Sequence, residues 1–262
     1  MAAVLGSKNQ RVIELRRLVG RRSSRSPEVL LEGPRTAGEA LDAGIGLLTV
    51  IVPESGVTAA EVKAVVGRLA AEVELLVVRD HVFSKLAPSV TPQPMLALVP
   101  RPRTELPAVA EHGQVVLVLV GVSDPGNVGT LIRVADAVAA TAVVVAGGAD
   151  PWGSKAVRAS AGSVLRVPVV SSMEPDVAVG MLSNRGFRVV ATDVNEGEPH
   201  DSGVLASPVA IVLGSESHGL DPSIGALVDG WATIVMPGRA ESLNVAMAGT
   251  LLLYEAVRAV RS

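Results

Sequence analysis

Three stretches, QVVLVLVGV (114–122), TAVVVAGG (141–148) and PVAIVLG (208–214), run through branched aliphatic residues without alternating polar ones. A strand with one wet face alternates apolar and polar side chains, because successive side chains point to opposite faces. Continuous Val/Ile/Leu runs are stable only when both faces are covered, the condition met in parallel sheets layered between helices. Helical patterns fall between these runs at 127–139, 153–161 and 175–185, and further strands are expected at VLRVPVV (164–170), FRVVATD (187–193) and WATIVMP (231–237). A last helix is expected to start near Ser242. The carboxy-terminal part is therefore an α/β domain built on a parallel sheet.

The preceding part reads as a second, smaller α/β unit. Val12, Ile13, Leu15 and Leu18 give residues 9–20 the spacing of an amphipathic helix. Strands follow at EVLLEG, LLTVIVP, VELLVVR and MLALVP, with helices over RTAGEALDAG, ending at Gly44, and TAAEVKAVVGRLAAE. PRPRTELPAVAEHG (100–113) has three prolines and reads as a connection. The expected division is a basic arm at 1–26, a small domain at 27–103, a linker at 104–113 and the main domain at 114–262.

Charge separates the arm from the body. Residues 1–26 carry Lys8, Arg11, Arg16, Arg17, Arg21, Arg22 and Arg25 against Glu14, or +6, while the other 16 basic and 25 acidic residues give −9. A basic arm on an acidic body suits a polyanionic partner, and a solvated terminus is the plainer alternative. Cysteine is absent, which removes disulfides and thiolate metal sites. No secretory signal is legible at the amino terminus. The mean hydropathy of +0.43 comes without any apolar run near the roughly 20 residues of a membrane helix, so no membrane span is expected. The four histidines, 81, 112, 200 and 218, are dispersed, and no metal is expected.

Three loops of the main domain follow strands and gather glycine with polar residues: SDPGNVGTLIR (123–133), GSESHGL (214–220) and PGRAESLN (237–244). Ligands of open α/β sheets sit beyond such strand ends. The first loop opens a helix, whose free N–H groups suit an anion, with Gly129 and Arg133 on one face for a phosphate. Local roles compete: Asn127 as a cap, and Arg133 paired with Asp136. In the second loop Glu216 and His218 stand between Gly214 and Gly219, where backbone can approach a ligand. In the third, Ser242 is a good N-cap, which leaves Arg239, Glu241 and Asn244 unexplained. They precede a helix apolar on all sides from Leu243 to Leu253, expected to be buried or to face a second subunit. A polar cluster against such a helix would be partly desolvated and completed by a ligand or another chain.

Taken in order, DPGNVGTLIRVADA, IVLGSESHGL and IVMPGRAESLNVAMAG resemble the three motifs of the SpoU-type (TrmH-like) RNA 2′-O-ribose methyltransferases of the SPOUT class, over roughly residues 114–261. LLEGPRTAGEAL resembles the ribosomal-protein-like substrate-binding domain that often precedes them. One departure is Val138–Ala139, where the family usually has an aromatic residue and glycine; it bears on packing, not on chemistry.

The resemblance implies S-adenosylmethionine as methyl donor, a ribose 2′-hydroxyl as acceptor, a trefoil knot and a homodimer whose catalytic groups meet across the interface. It implies catalytic roles for Asn127, Arg133, Glu216, Ser242 and Asn244, and a cofactor pocket at Gly214, Ile234 and Leu243, with Thr192 and Met236 from neighbouring loops. A guanidinium with a pKa above about 12 is a poor base. Arg133 is therefore expected to grip a phosphate and polarise the hydroxyl, with Ser242, Asn244 and Glu216 orienting it. The two-domain plan favours ribosomal over transfer RNA, and a cytoplasmic setting is expected, since a chain without cysteine fits a reducing compartment. Competing classes are a non-catalytic RNA-binding protein that keeps the fold, and a dinucleotide-dependent oxidoreductase, which lacks its glycine fingerprint here.

Overall fold

A computed structural model describes residues 4–20 and 26–261. Arg21, Arg22 and Arg25 of the basic arm, and the side chain of Leu18, lie outside the described residues. The chain divides into two compact units, residues 1–102 and 103–262.

The first unit contains β1 (Val4–Leu5), α1 (Gln10–Gly20), β2 (Glu28–Glu32), α2 (Pro34–Asp42), β3 (Thr49–Pro53), α3 (Ala60–Val66), β4 (Glu74–Val78), α4 (Asp80–Leu86) and β5 (Leu96–Pro100). Its five strands run in the order β1-β4-β3-β5-β2, with β5 antiparallel to both neighbours. Val12 and Leu15 of α1 pack with Leu30, Ile51, Phe83 and Leu96 in the core, which explains the helical spacing in the sequence. The same helix spends part of the basic arm internally. Arg11 Nη2 lies 2.6 Å from Glu74 Oε2, and Arg16 Nε and Nη2 are buried, whereas Lys8 and Arg17 are exposed. The helix expected over 58–72 stops at Val66, where Gly67 takes the C-cap. Strand β1 is too short, and α4 too brief, for periodicity to have revealed them.

The second unit contains β6 (Val115–Val120), α5 (Pro125–Ala137), β7 (Ala142–Ala146), α6 (Ser154–Ala159), β8 (Val169–Ser171), α7 (Pro175–Asn184), β9 (Arg188–Thr192), β10 (Glu198–Pro199), β11 (Val209–Leu213), α8 (Pro222–Gly225), β12 (Gly230–Thr233) and α9 (Val245–Arg261). Its seven strands, ordered β10-β12-β9-β11-β6-β7-β8, pair in parallel throughout. Every residue of β6, β7 and β11 is buried, as the continuous aliphatic runs require. Leu106 packs into this unit's core, and Arg185 Nη1 donates to the carbonyls of Leu106 and Pro107 at 3.0 Å.

Two expectations are corrected here. Residues 164–170 are not one strand: Ser163–Leu165 form a 3₁₀ turn, and only Val169–Ser171 join the sheet, at its edge. Helix α9 begins at Val245 rather than at Ser242. Of the two alternatives for this helix, burial on all sides is excluded, since Met247, Leu251 and Tyr254 are 63%, 45% and 58% exposed.

The Val138–Ala139 departure bears on packing at buried Val138 and also on backbone conformation at Ala139. Helix α5 ends in a Schellman motif: the Ala139 N–H donates to Asp136 O at 3.1 Å and the Ala140 N–H to Ala135 O at 2.8 Å. Ala139 holds the left-handed C′ position at φ 57°. Glycine fits there without the roughly 1–2 kcal/mol that a Cβ costs in this region. Ala139→Gly should therefore stabilise the fold by about 1 kcal/mol, visible in thermal denaturation as a midpoint roughly 2–4 °C higher.

Candidate functional site

The carboxyl ends of β9, β11 and β12 open into one cavity of about 610 Å³. Thr192 ends β9, Leu213 and Gly214 leave β11, and Ile234 and Met236 follow β12. Leu243, Val245, Ala248 and Leu252 close the apolar side from the start of α9, and Glu216, Ser242 and Asn244 supply a polar rim. All five expected cofactor residues, Thr192, Gly214, Ile234, Met236 and Leu243, line this space. Thr192 Oγ1 donates to Val212 O at 3.2 Å and so braces β9 against β11. Asp193, Ser215 and His218 also line the cavity without having been singled out as site residues.

Close approach of backbone shapes the floor. The loop after β11 folds back on itself through paired bonds between Ser215 and Gly219, each 3.0 Å. A Cβ on Gly214 would lie 2.4 Å from Gly219 C and 2.7 Å from Leu220 N, so only glycine fits.

A directional hydrogen-bond chain ties the rim together. Asn244 Oδ1 accepts the Ala246 N–H at 2.8 Å, so Asn244, not Ser242, caps α9. That fixes the amide and leaves its nitrogen to donate to Asn127 Oδ1 at 3.2 Å. Asn127 Nδ2 in turn donates to Glu216 Oε1 at 2.9 Å. The other Glu216 oxygen accepts from Ser123 N at 3.2 Å and from its hydroxyl. Partial burial pulls the Glu216 carboxyl toward neutrality, but Asn127 and the surrounding backbone N–H groups outweigh it, leaving the group below its ordinary 4.5. It stays ionised, and so an acceptor, throughout the neutral range.

The competing local roles for Asn127 and Arg133 both fail. Asp124 caps α5, its Oδ1 accepting from Gly126 N at 2.6 Å and Asn127 N at 3.0 Å. Asp136 pairs with Arg166 at 2.7 Å. Asp124 was legible in principle: an Asp directly before Pro125 is a helix-start signal.

Other expectations are redrawn. Gly129 does not clear room for a phosphate: a Cβ there would lie 2.3 Å from Ala156 O and 2.6 Å from Ala159 Cβ, so it serves the contact of α5 with α6. Glu216 and Asn244 engage Asn127 rather than Arg133. Arg133 is exposed, has no hydrogen bond or ion pair among the described residues, and does not line the cavity. Residues six apart on a helix diverge by about 120°, so α5 presents Asn127 and Arg133 in different directions. The cluster of Arg239, Glu241, Ser242 and Asn244 is exposed in the single chain, not desolvated.

Residues 114–254 match the family model of the SpoU rRNA Methylase family. The chain belongs to that family. Residues 9–97 match the MRM3-like substrate binding domain. The chain is 29% identical over 256 residues, 97% of its length and 98% of the relative's, to the 23S rRNA (guanosine(2553)-2'-O)-methyltransferase RlmP of Bacillus subtilis strain 168. Among solved structures, the SpoU methyltransferase AviRb from Streptomyces viridochromogenes in complex with AdoMet aligns with a TM-score of 0.86 and 28% identity, over 96% of this chain and 98% of that one. A crystal structure of an RNA 2'-O ribose methyltransferase aligns with a TM-score of 0.81 and 34% identity, over 98% and 99% of the two chains. For a SpoU chain, the cavity and the Asn127–Glu216–Asn244 chain mark where the three motifs meet.

Proposed function

We propose that this protein is an S-adenosylmethionine-dependent methyltransferase that methylates a ribose 2′-hydroxyl of ribosomal RNA. The observation that carries this reading is the cavity at the ends of β9, β11 and β12, rimmed by Glu216, Ser242 and Asn244, in a chain of the SpoU family. The B. subtilis relative acts on 23S ribosomal RNA by its name, and it is matched over both units of this chain.

The residues present fit the methyl donor. A cavity of about 610 Å³ suits a nucleoside-sized molecule, and its walls divide into an apolar side and a polar rim. Gly214, Ile234, Leu243, Thr192 and Met236 would hold it, and Gly214 lets the backbone of Gly219 and Leu220 close in to form the pocket floor. When bound, S-adenosylmethionine supplies an electrophilic methyl group. The protein's task is to bring a weakly nucleophilic hydroxyl to that group and to stabilise the negative charge that builds on its oxygen as its proton passes to a neighbouring phosphate oxygen. Arg133 is the catalytic residue we assign to this, through a bidentate grip on the neighbouring phosphate and a hydrogen bond to the hydroxyl oxygen. Asn127, Glu216 and Asn244 hold the loops in register, and Ser242 orients the ribose.

A homodimer completes this assignment. Met247, Leu251 and Tyr254 recur at i, i+4 and i+7 and give α9 an exposed apolar stripe, as expected of a subunit interface. Because Arg133 faces away from its own chain's cavity lining, we assign it to the partner's cavity. The proposal includes the trefoil knot of the class in 114–262, RNA selection by 27–103 with the basic arm 1–26, a connecting segment at 104–113, and a cytoplasmic site of action. With five aromatic residues in the chain, arginine and backbone contacts carry more of the RNA binding than base stacking does.

Mapping 2′-O-methyl groups on ribosomal and transfer RNA from cells with and without the protein tests the reading. One ribosomal ribose should lose its methyl group when the protein is absent. Loss confined to transfer RNA, or no change at any ribose, would overturn it.

A further inference from the structure

Lys155 stands second in α6, a helix with no acidic residue in its first turn and no side-chain cap. A cation at that end opposes the helix dipole, so its own helix gains nothing from it. A residue that breaks a local rule without local compensation points to a task elsewhere.

That task is visible across α5. Lys155 Nζ lies 2.9 Å from Asp124 Oδ2, while Asp124 Oδ1 accepts from Gly126 N and Asn127 N. The two carboxylate oxygens are thus divided between the lysine and the first turn of α5. A Cβ on Gly126 would sit 3.8 Å from Lys155 Cε, so the lysine stem lies along that turn. The helices cannot slide past one another, because Gly129 lets α5 rest on the backbone of α6 at Ala156 and Ser160. The Lys155 ammonium is also the foremost cause that holds the Asp124 carboxyl below its ordinary 3.8.

We infer that Lys155 is a positioning residue for methyl transfer: through Asp124 it fixes the first turn of α5, and with it the grip of Asn127 on Glu216 and Asn244. The inference rests on the methyltransferase reading above. Lys155 acts on no reacting atom; it sets the angle at which Asn127 meets the loop after β11 and the cap of α9. A cation on Oδ2 adds a third restraint to the two N–H bonds that hold Oδ1 over the helix end. Without it, Asp124 is held on one oxygen alone, and the turn that carries Asn127 is less tightly fixed.

The test uses the full-length protein with Lys155→Met, Lys155→Arg, Asp124→Asn and the Lys155→Met/Asp124→Asn double variant. Turnover and KM are measured on a ribosomal RNA transcript, and the side-chain amide resonances of Asn127 and Asn244 are followed by NMR in the RNA-free protein. Lys155→Met should lower kcat roughly tenfold, since small misplacements of catalytic groups are costly, and leave the RNA KM and the S-adenosylmethionine Kd within about twofold. It should also shift the Asn127 amide resonances. Lys155→Arg should restore kcat to within about threefold, and the double variant should lose no more than Lys155→Met, because both remove one link. A raised RNA KM with unchanged kcat would make Lys155 a phosphate contact and overturn the inference. Losses that add, or Asn127 resonances that stay in place, would overturn it as well. Should the unaltered protein transfer no methyl group to RNA, the methyltransferase reading fails, and the amide resonances still decide whether Lys155 positions Asn127.

Discussion

Arg133→Ala should abolish methyl transfer, by roughly a thousandfold or more in kcat, while S-adenosylmethionine binds within about twofold of the unaltered affinity. Arg133 is exposed, makes no ion pair or hydrogen bond among the described residues, and does not line its own cavity. Its removal therefore leaves the cavity walls, the Asn127–Glu216–Asn244 chain and the core unchanged, and thermal denaturation should show no loss of stability. What disappears is the cation that we propose acts at the sugar oxygen. Arg133→Lys should recover little, because an ammonium cannot hold a phosphate and a hydroxyl with a planar fork. Calorimetry with S-adenosylmethionine beside a methyl-transfer assay checks both halves. Retained transfer in Arg133→Ala would remove Arg133 from catalysis; lost cofactor binding would place it in the pocket instead.

Much of this architecture was legible because it rests on local signals. Uninterrupted aliphatic runs demand two covered faces, and β6, β7 and β11 have them. Where the sequence misled, a long-range contact decided. Ser242 and Asn244 are both good caps two residues apart, and Asn244 caps α9 with one end of its amide while the other meets Asn127, 117 positions earlier. Asp136 lies three residues from Arg133, as an i,i+3 pair should, yet bonds Arg166, 30 positions away. Gly129 is a place of close approach, but sequence cannot say what approaches, and it is Ala156 rather than a phosphate. Strand 164–170 failed for a different reason. Val164 and Leu165 are buried in a 3₁₀ turn, and burial makes a turn as apolar as a strand. Lys155 and Asp124 escaped notice because their partnership crosses two helices.

Gly214→Ala should differ from Arg133→Ala in losing the cofactor as well: its affinity should fall by roughly a hundredfold or more, and methyl transfer should fail because the cavity is misshapen. The added methyl would meet Gly219 C at 2.4 Å, Gly219 O at 2.5 Å and Leu220 N at 2.7 Å, all backbone atoms with no rotamer to adopt. The clash is relieved only if the loop 215–219 moves. That loop is closed by the Ser215–Gly219 bonds and carries Glu216, so relief breaks the turn and draws Glu216 from Asn127. Part of the damage should appear as lost stability, within the roughly 1–3 kcal/mol usual for overpacking, because the loop lies at the surface and can yield. Raising S-adenosylmethionine to saturation separates the two causes. A pocket merely weakened recovers turnover at high cofactor, whereas a displaced Glu216 leaves kcat low however much is bound. The structure predicts the second, since one movement of the loop serves both, and full recovery at saturation would show that the floor of the cavity and its catalytic rim are independent.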